Sequence, residues 1–245
     1  MKKMLFPLLL VTASLGALAE RGQQVELRVE DRYGRAYPEY HQRNRAWVAG
    51  EEGEPYQLRL RNLSRERVMV VLSVDGINAV SGETAAFRQS GYVLEPYADT
   101  VVTGWRKSMG SVARFYFTDL GDSYAARTDR PFDVGVIGAA VFNERRYVPP
   151  PAAIAKEGNR PPMASRKAES AAAMGTGHGE IEESHVRRTE FERASEQPRE
   201  VLAVRYDSRR NLAAAGVITE RRWRERARDQ PSAFPREGFT PDPRW

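Results

Sequence analysis

Gly104-Trp105-Arg106-Lys107 sets an aromatic ring and two cations beside a glycine. Such a set suits stacking on a sugar or gripping a phosphate. The plain alternative is a core tryptophan followed by a solvated strand end, because Trp is mostly buried. Asp75, Asn78 and Glu83 place three oxygen ligands within nine residues around a turn, a chemistry that calcium takes. The same residues are also usual hairpin-turn types. Trp105, Arg106, Lys107, Asp75, Asn78 and Glu83 are therefore the candidate ligand-binding residues, each with a structural reading beside the functional one.

Other stretches are weaker. Gly175-Thr176-Gly177-His178-Gly179 is glycine-rich but lacks the Lys-Ser or Lys-Thr that completes a phosphate loop. The alternative is a flexible linker or the lead-in to an edge strand. His178 and His185 flank Glu180, Glu182 and Glu183, without His-Glu-x-x-His spacing. Gly121-Asp122-Ser123-Tyr124 resembles the start of the Gly-Asp-Ser block of a family of esterases, in which the serine is the nucleophile and a late Asp-x-x-His supplies the base. None of His41, His178 and His185 has Asp three residues earlier, and the block lies deep in a strand-rich region. A turn between strands is the simpler reading. No catalytic residue, cofactor or metal is assigned.

Composition narrows the chemistry further. The 245 residues include no cysteine, which excludes disulfides, thiol catalysis and thiolate metal sites. Stability must then come from burial in a sizeable core. The formal charge is +5, with 38 basic and 33 acidic residues. Bases and acids are interspersed, so the basic face that nucleic acid requires is not evident.

The elements that must position these residues read as strands. Val25, Leu27 and Val29 alternate with polar residues, as do Tyr56, Leu58 and Leu60, the period of half-buried strands. Val68 to Leu72 is continuously apolar, which predicts a central strand buried on both faces. Asp75-Gly76 follows, a tight hairpin signal. Short strands are expected over 91–94, 100–106, 111–118 and 133–142, and together they predict an all-β antiparallel sandwich. Pro149-Pro150-Pro151 then opens a Pro/Ala/Gly-rich stretch. The expected organisation is a signal peptide over 1–19, a sandwich over 20–147, a flexible linker over 148–188, a hairpin docked on the sandwich over 189–218, and an Arg/Pro-rich tail over 219–245.

The signal peptide rests on Lys2 and Lys3, an apolar run from Met4 to Leu18, and small residues at Ala17 and Ala19. Cleavage after Ala19 would leave no later segment apolar enough to span a bilayer. The stretches Val71 to Asn78, Ser81 to Ala85, Gln89 to Val93, Gly104 to Ser108 and Val134 to Gly138 together resemble a group of exported, β-rich bacterial proteins of proteobacterial type with no assigned activity. The resemblance implies export and a β-rich fold, and brings no catalytic residue with it. The expected function is a non-enzymatic binding or interaction module of the periplasm or exterior, with an envelope glycan or another envelope protein as partner. The alternative is a hydrolase of envelope glycans or esters, using carboxylates or Ser123.

Overall fold

A computed structural model describes residues 20–145 and 174–219. In chain order the strands are β1 (Glu20–Arg21), β2 (Val25–Asp31), β3 (Glu39–Gln42), β4 (Arg45–Gly50), β5 (Pro55–Asn62), β6 (Val68–Val74) and β7 (Ile77–Asn78). There follow β8 (Tyr92–Leu94), β9 (Asp99–Val102), β10 (Gly104–Arg106), β11 (Ser111–Asp119), β12 (Val136–Asn143), β13 (Met174–Glu183) and β14 (Glu200–Ser208). Two short helices, α1 (Tyr124–Arg127) and α2 (Arg209–Ala214), complete the set. The signal-peptide and tail expectations fall outside the described residues, except at Thr219.

The fold is an all-β sandwich. In the first sheet β1, β2, β5 and β11 follow one another, with β5 and β11 paired directly at Tyr56 and Phe115, β9 pairing further along β5 and β10 further along β11, and β13 on the other side of β11. The second sheet runs β3-β4-β14-β12-β6, with β7 and β8 sharing the far side of β6. The inward row of β2 (Val25, Leu27, Val29) and that of β5 (Tyr56, Leu58, Leu60) join Val70, Leu72 and Val204 of the second sheet in one core. Alternation with period two makes this possible, because one register puts every apolar side chain on the same face.

β6 is buried on both faces, as its unbroken apolar run requires. Val68, Val70, Leu72 and Val74 face the main core. Met69 and Val71 instead join Ala140 and Phe142 in a second cluster, against which Val93 and Phe191 pack. Arg193 extends that cover by stacking 4.2 Å over the Phe142 ring. The turn after β6 is the two-residue hairpin that Asp75-Gly76 predicts: Val74 pairs with Ile77, and the two turn residues have φ of 52° and 72°.

Three expectations need correction. The described part of the expected 148–188 linker contains an edge strand, β13, antiparallel to β11 over almost its whole length. Its glycines show no apolar pattern in sequence because a neighbour's ring covers them. A Cβ on Gly177 would lie 2.1 Å from the Tyr116 ring, an aromatic covering a glycine at a sheet edge. Second, residues 201–218 are not a hairpin. β14 is followed by α2, capped at its start by Ser208 Oγ, which accepts from the Asn211 amide. Leu212 is buried there, its carbonyl accepts from the Val217 and Ile218 amides, and Ile218 is buried as well. Third, the second sheet is not purely antiparallel, since β14 lies parallel to β4 and antiparallel to β12. A parallel pair needs a long crossover, and no local sequence signal announces one.

β14 also ties down the segment between β1 and β2. The Glu200 carboxylate accepts from three successive amides, Gln23 (2.7 Å), Gln24 (3.1 Å) and Val25 (2.8 Å). A side chain on Gly22 would meet that carboxylate at 2.6 Å. Hydrogen bonds to an ionised acceptor are the stronger kind. Glu200→Ala is expected to cost about 1–3 kcal/mol and to expose residues 20–25 to protease, with Glu200→Gln between the variant and the parent. Thermal melts with peptide mapping check this; an unchanged cleavage pattern at the N-terminal side would contradict it.

Candidate functional site

The six residues singled out in the sequence do not form one surface. Trp105 is core: its ring meets Phe115 edge-on at 5.1 Å and its Nε1 donates to the Gly177 carbonyl at 3.3 Å. Arg106 is held by the segment after β13, donating to the Ser184 carbonyl at 2.5 Å and to its Oγ at 3.2 Å. Lys107 is exposed at the turn into β11. Packing against Phe115 thus holds the ring inside, and Ser184 ties down one of the two cations.

Asp75, Asn78 and Glu83 also diverge. Asn78 is buried and organises its own loop: Oδ1 accepts from the Val80 and Ser81 amides, while Nδ2 donates to Gln89 Oε1 and the Ser90 carbonyl. Gln89 in turn donates to Glu83 Oε2 at 3.1 Å. Asp75 faces the interior instead. Its carboxylate accepts from the Thr176 amide (2.7 Å), the Gly135 amide (2.9 Å) and the Tyr206 hydroxyl (2.5 Å). Among the described residues no three His, Cys, Asp or Glu side chains are grouped to hold a metal.

The Asp75 network joins the two sheets. The Thr176 hydroxyl lies 2.6 Å from both Tyr206 and Tyr56. With Asp75 ionised, Tyr206 spends its one proton on Asp75, so Thr176 donates to Tyr206 and Tyr56 donates to Thr176. Burial pushes the Asp75 carboxyl up to about 6, against the hydrogen bonds it accepts from Tyr206, Thr176, Gly135 and Val136. Burial first, and then the Asp75 charge, raises the two tyrosines well above their ordinary value. All four side chains are buried, so the network is an internal tie with no route to a substrate.

Ser123 is likewise internal. Its hydroxyl donates to the Leu120 carbonyl at 2.7 Å and accepts from the Ala126 amide at 3.1 Å, capping α1. It is fully buried. The Gly-Asp-Ser stretch is a turn with a helix cap. The two linker-side histidines are apart in their packing: His178 lies against the Tyr124 ring at 5.4 Å, and His185 beside Gly110.

The surface with ligand-like construction is one the sequence reading passed over. The run 31–40 reads Asp-Arg-Tyr-Gly-Arg-Ala-Tyr-Pro-Glu-Tyr. Its turn is built by Asp31, whose Oδ1 accepts from the Tyr33 and Arg35 amides and whose Oδ2 takes the Arg35 guanidinium at 2.7 Å. Burial acts to raise the Asp31 carboxyl, but these contacts outweigh it and hold it below its ordinary value. The turn, β3, the end of β4 and the start of α2 enclose an open cleft of about 320 Å³, lined by Tyr33, Tyr37 and Tyr40 with guanidinium and carboxylate side chains between them. The Tyr37 ring packs edge-on against Phe117 at 5.7 Å. Burial, then the charges of Glu54, Asp31 and Glu51, push its hydroxyl up to about 12. Tyr33 is 71% exposed, with Arg32 and Arg35 guanidiniums 4.8 and 5.7 Å from its ring centroid. Three tyrosines within eight residues of a turn-rich stretch were the available signal.

No family model, curated protein or solved structure matches the chain. The class that the fold defines is an all-β sandwich without cysteine, and no helix among the described residues is long and apolar enough to cross a membrane.

Proposed function

We propose that this is an exported binding protein of the cell envelope, working without catalysis, with the tyrosine–arginine cleft as its recognition face. The observation that carries the reading is the cleft itself: exposed and half-buried aromatic rings on a turn and a strand, interleaved with charged side chains that can hydrogen-bond a polar ligand. Export follows from the basic, apolar and small-residue segments of the first nineteen residues, and the resemblance to exported bacterial proteins agrees with it. The hydrolase alternative has less support. Its serine is a buried helix cap, and Asp75, the one carboxyl among the described residues that burial pushes up above its ordinary value, is sealed in the core.

Two measurements test this reading. Intact mass of protein recovered from the periplasm or medium is expected to give a chain beginning at Glu20; retention of Met1 would overturn export by cleavage. Amide NMR of the purified chain, titrated with solubilised envelope material, is expected to move resonances of residues 31–40 first. Shifts confined to other faces, such as the outer edge of β13, would remove the cleft from the account.

A further inference from the structure

We infer that the cleft takes an uncharged saccharide, an inference that rests on the binding reading above. The first argument is charge. Arg32, Arg35 and Arg209 face Asp31, Glu51 and Glu54 around the cleft, so the formal charges cancel. Such a lining exerts no net long-range pull on an anion or a cation. Placing a phosphate or uronate there brings it against carboxylates, and placing an amine there brings it against guanidiniums. A hydroxyl group suits both, because it donates to a carboxylate and accepts from a guanidinium.

The second argument is shape. A pyranose ring presents apolar C–H faces edged by hydroxyls. Tyr33 and Tyr40 offer rings at the cleft wall, and an aromatic ring supplies large contact area with little side-chain entropy to lose. Asp31 is held by two amides and Arg35, which fixes the turn that carries Tyr33. Preorganisation of this kind lowers the cost of binding. Tyr37 also lines the cleft, and a phenol hydroxyl can donate to a ring or glycosidic oxygen. The volume of about 320 Å³ lies at the small end of ligand sites, which limits the occupant to a short saccharide or one segment of a longer chain.

The experiment is a titration of the purified chain, by calorimetry and amide NMR, with three disaccharides of different charge: N,N′-diacetylchitobiose (uncharged), digalacturonate (anionic) and chitobiose (cationic). The uncharged disaccharide is expected to bind at least about tenfold more tightly than either charged one. Its affinity should change little with salt, since no net charge is brought together. Tyr33→Ala is expected to weaken it by about tenfold or more, and Tyr33→Phe to keep most of it, because the ring and not the hydroxyl does the stacking. Tyr33 is mostly exposed, so an unchanged melting point will show that both variants fold. Tighter, Tyr33-dependent binding of digalacturonate or chitobiose would overturn the uncharged ligand while leaving the cleft as a binding site. Failure of all three, with residues 31–40 still shifting on addition of envelope material, would overturn the saccharide alone. Failure of both titrations would overturn the binding reading itself.

Discussion

A chain ending at Arg188 is expected not to fold into the sandwich. β14 is an interior strand of the second sheet, paired with β12 on one side and β4 on the other. Without it, β3 and β4 have no ladder connecting them to β12 and β6. The main core also loses Leu202, Val204 and Tyr206, all at or below 5% exposure. Burial of a large apolar side chain contributes about 1.5–3 kcal/mol, so the three together rival the whole stability of a typical domain, about 5–15 kcal/mol. The amides and carbonyls of β4 and β12 that faced β14 would then open to water or to another chain's edge. The truncated chain should show no cooperative thermal transition, weak near-ultraviolet circular dichroism and concentration-dependent aggregation. Melting at the midpoint of the 20–245 chain would show that the strand is dispensable and that the sheet order is wrong.

Asp75→Ala has the next largest expected effect. It removes the acceptor of two buried amides and of the Tyr206 hydroxyl at once. Each buried donor left without a partner costs about 1–3 kcal/mol. It also places alanine at φ 52°, a left-handed conformation that aspartate tolerates better. The sum consumes most of a typical domain's stability, and the variant should be largely unfolded or melt far below the parent. Tyr206→Phe, which keeps the ring and loses one donor, should cost only a fraction of this. A Tyr206→Phe variant as unstable as Asp75→Ala would mean that the ring position, and not the hydrogen bonds, carries the effect.

The same carboxyl gives a pH dependence whose sign is fixed. Its folded value of about 6 exceeds the ordinary 3.8, so the folded chain holds the proton more tightly than the unfolded one. The stabilisation is complete below about 3.8 and is lost as pH rises through about 6. A shift of this size corresponds to about 3 kcal/mol. Denaturant unfolding of the parent from pH 4 to 7 should therefore show a decline, and Asp75→Asn, which cannot titrate, should lack it. Equal slopes for the two would refute the assignment.

Local pattern fixed much of the architecture and little of the site. Alternation in β2 and β5 gave each strand one apolar face for the core, although Glu26 and Glu30 on the other face of β2 are buried as well, and the unbroken run of β6 required a strand covered on both faces. Asp75-Gly76 accepts positive φ at two successive residues, so the tight hairpin was legible as well. These are short-range effects, set by backbone sterics and by how many apolar side chains each face presents.

The placement of β13 and β14 was decided only in three dimensions. β13 is buried only over Met174–Gly177, where glycines lie against the Ser123, Val134 and Tyr116 side chains, and its outer half is mostly exposed, so it leaves no apolar period to read. β14 owes its position to two partners more than fifty residues away along the chain. The direction of Asp75 likewise depends on distant donors: the Thr176 amide, the Gly135 amide and the Tyr206 hydroxyl turn an apparent calcium ligand inward. The same long-range packing splits Trp105 from Lys107, one in the core and the other in water. It also gathers Tyr33, Tyr37 and Tyr40 at one cleft with Arg209, a residue nearly 170 positions later in the sequence. A chain's local composition sets which elements form. Which side chains meet is settled by the packing of elements far apart in sequence, and the candidate site belongs to that second kind of information.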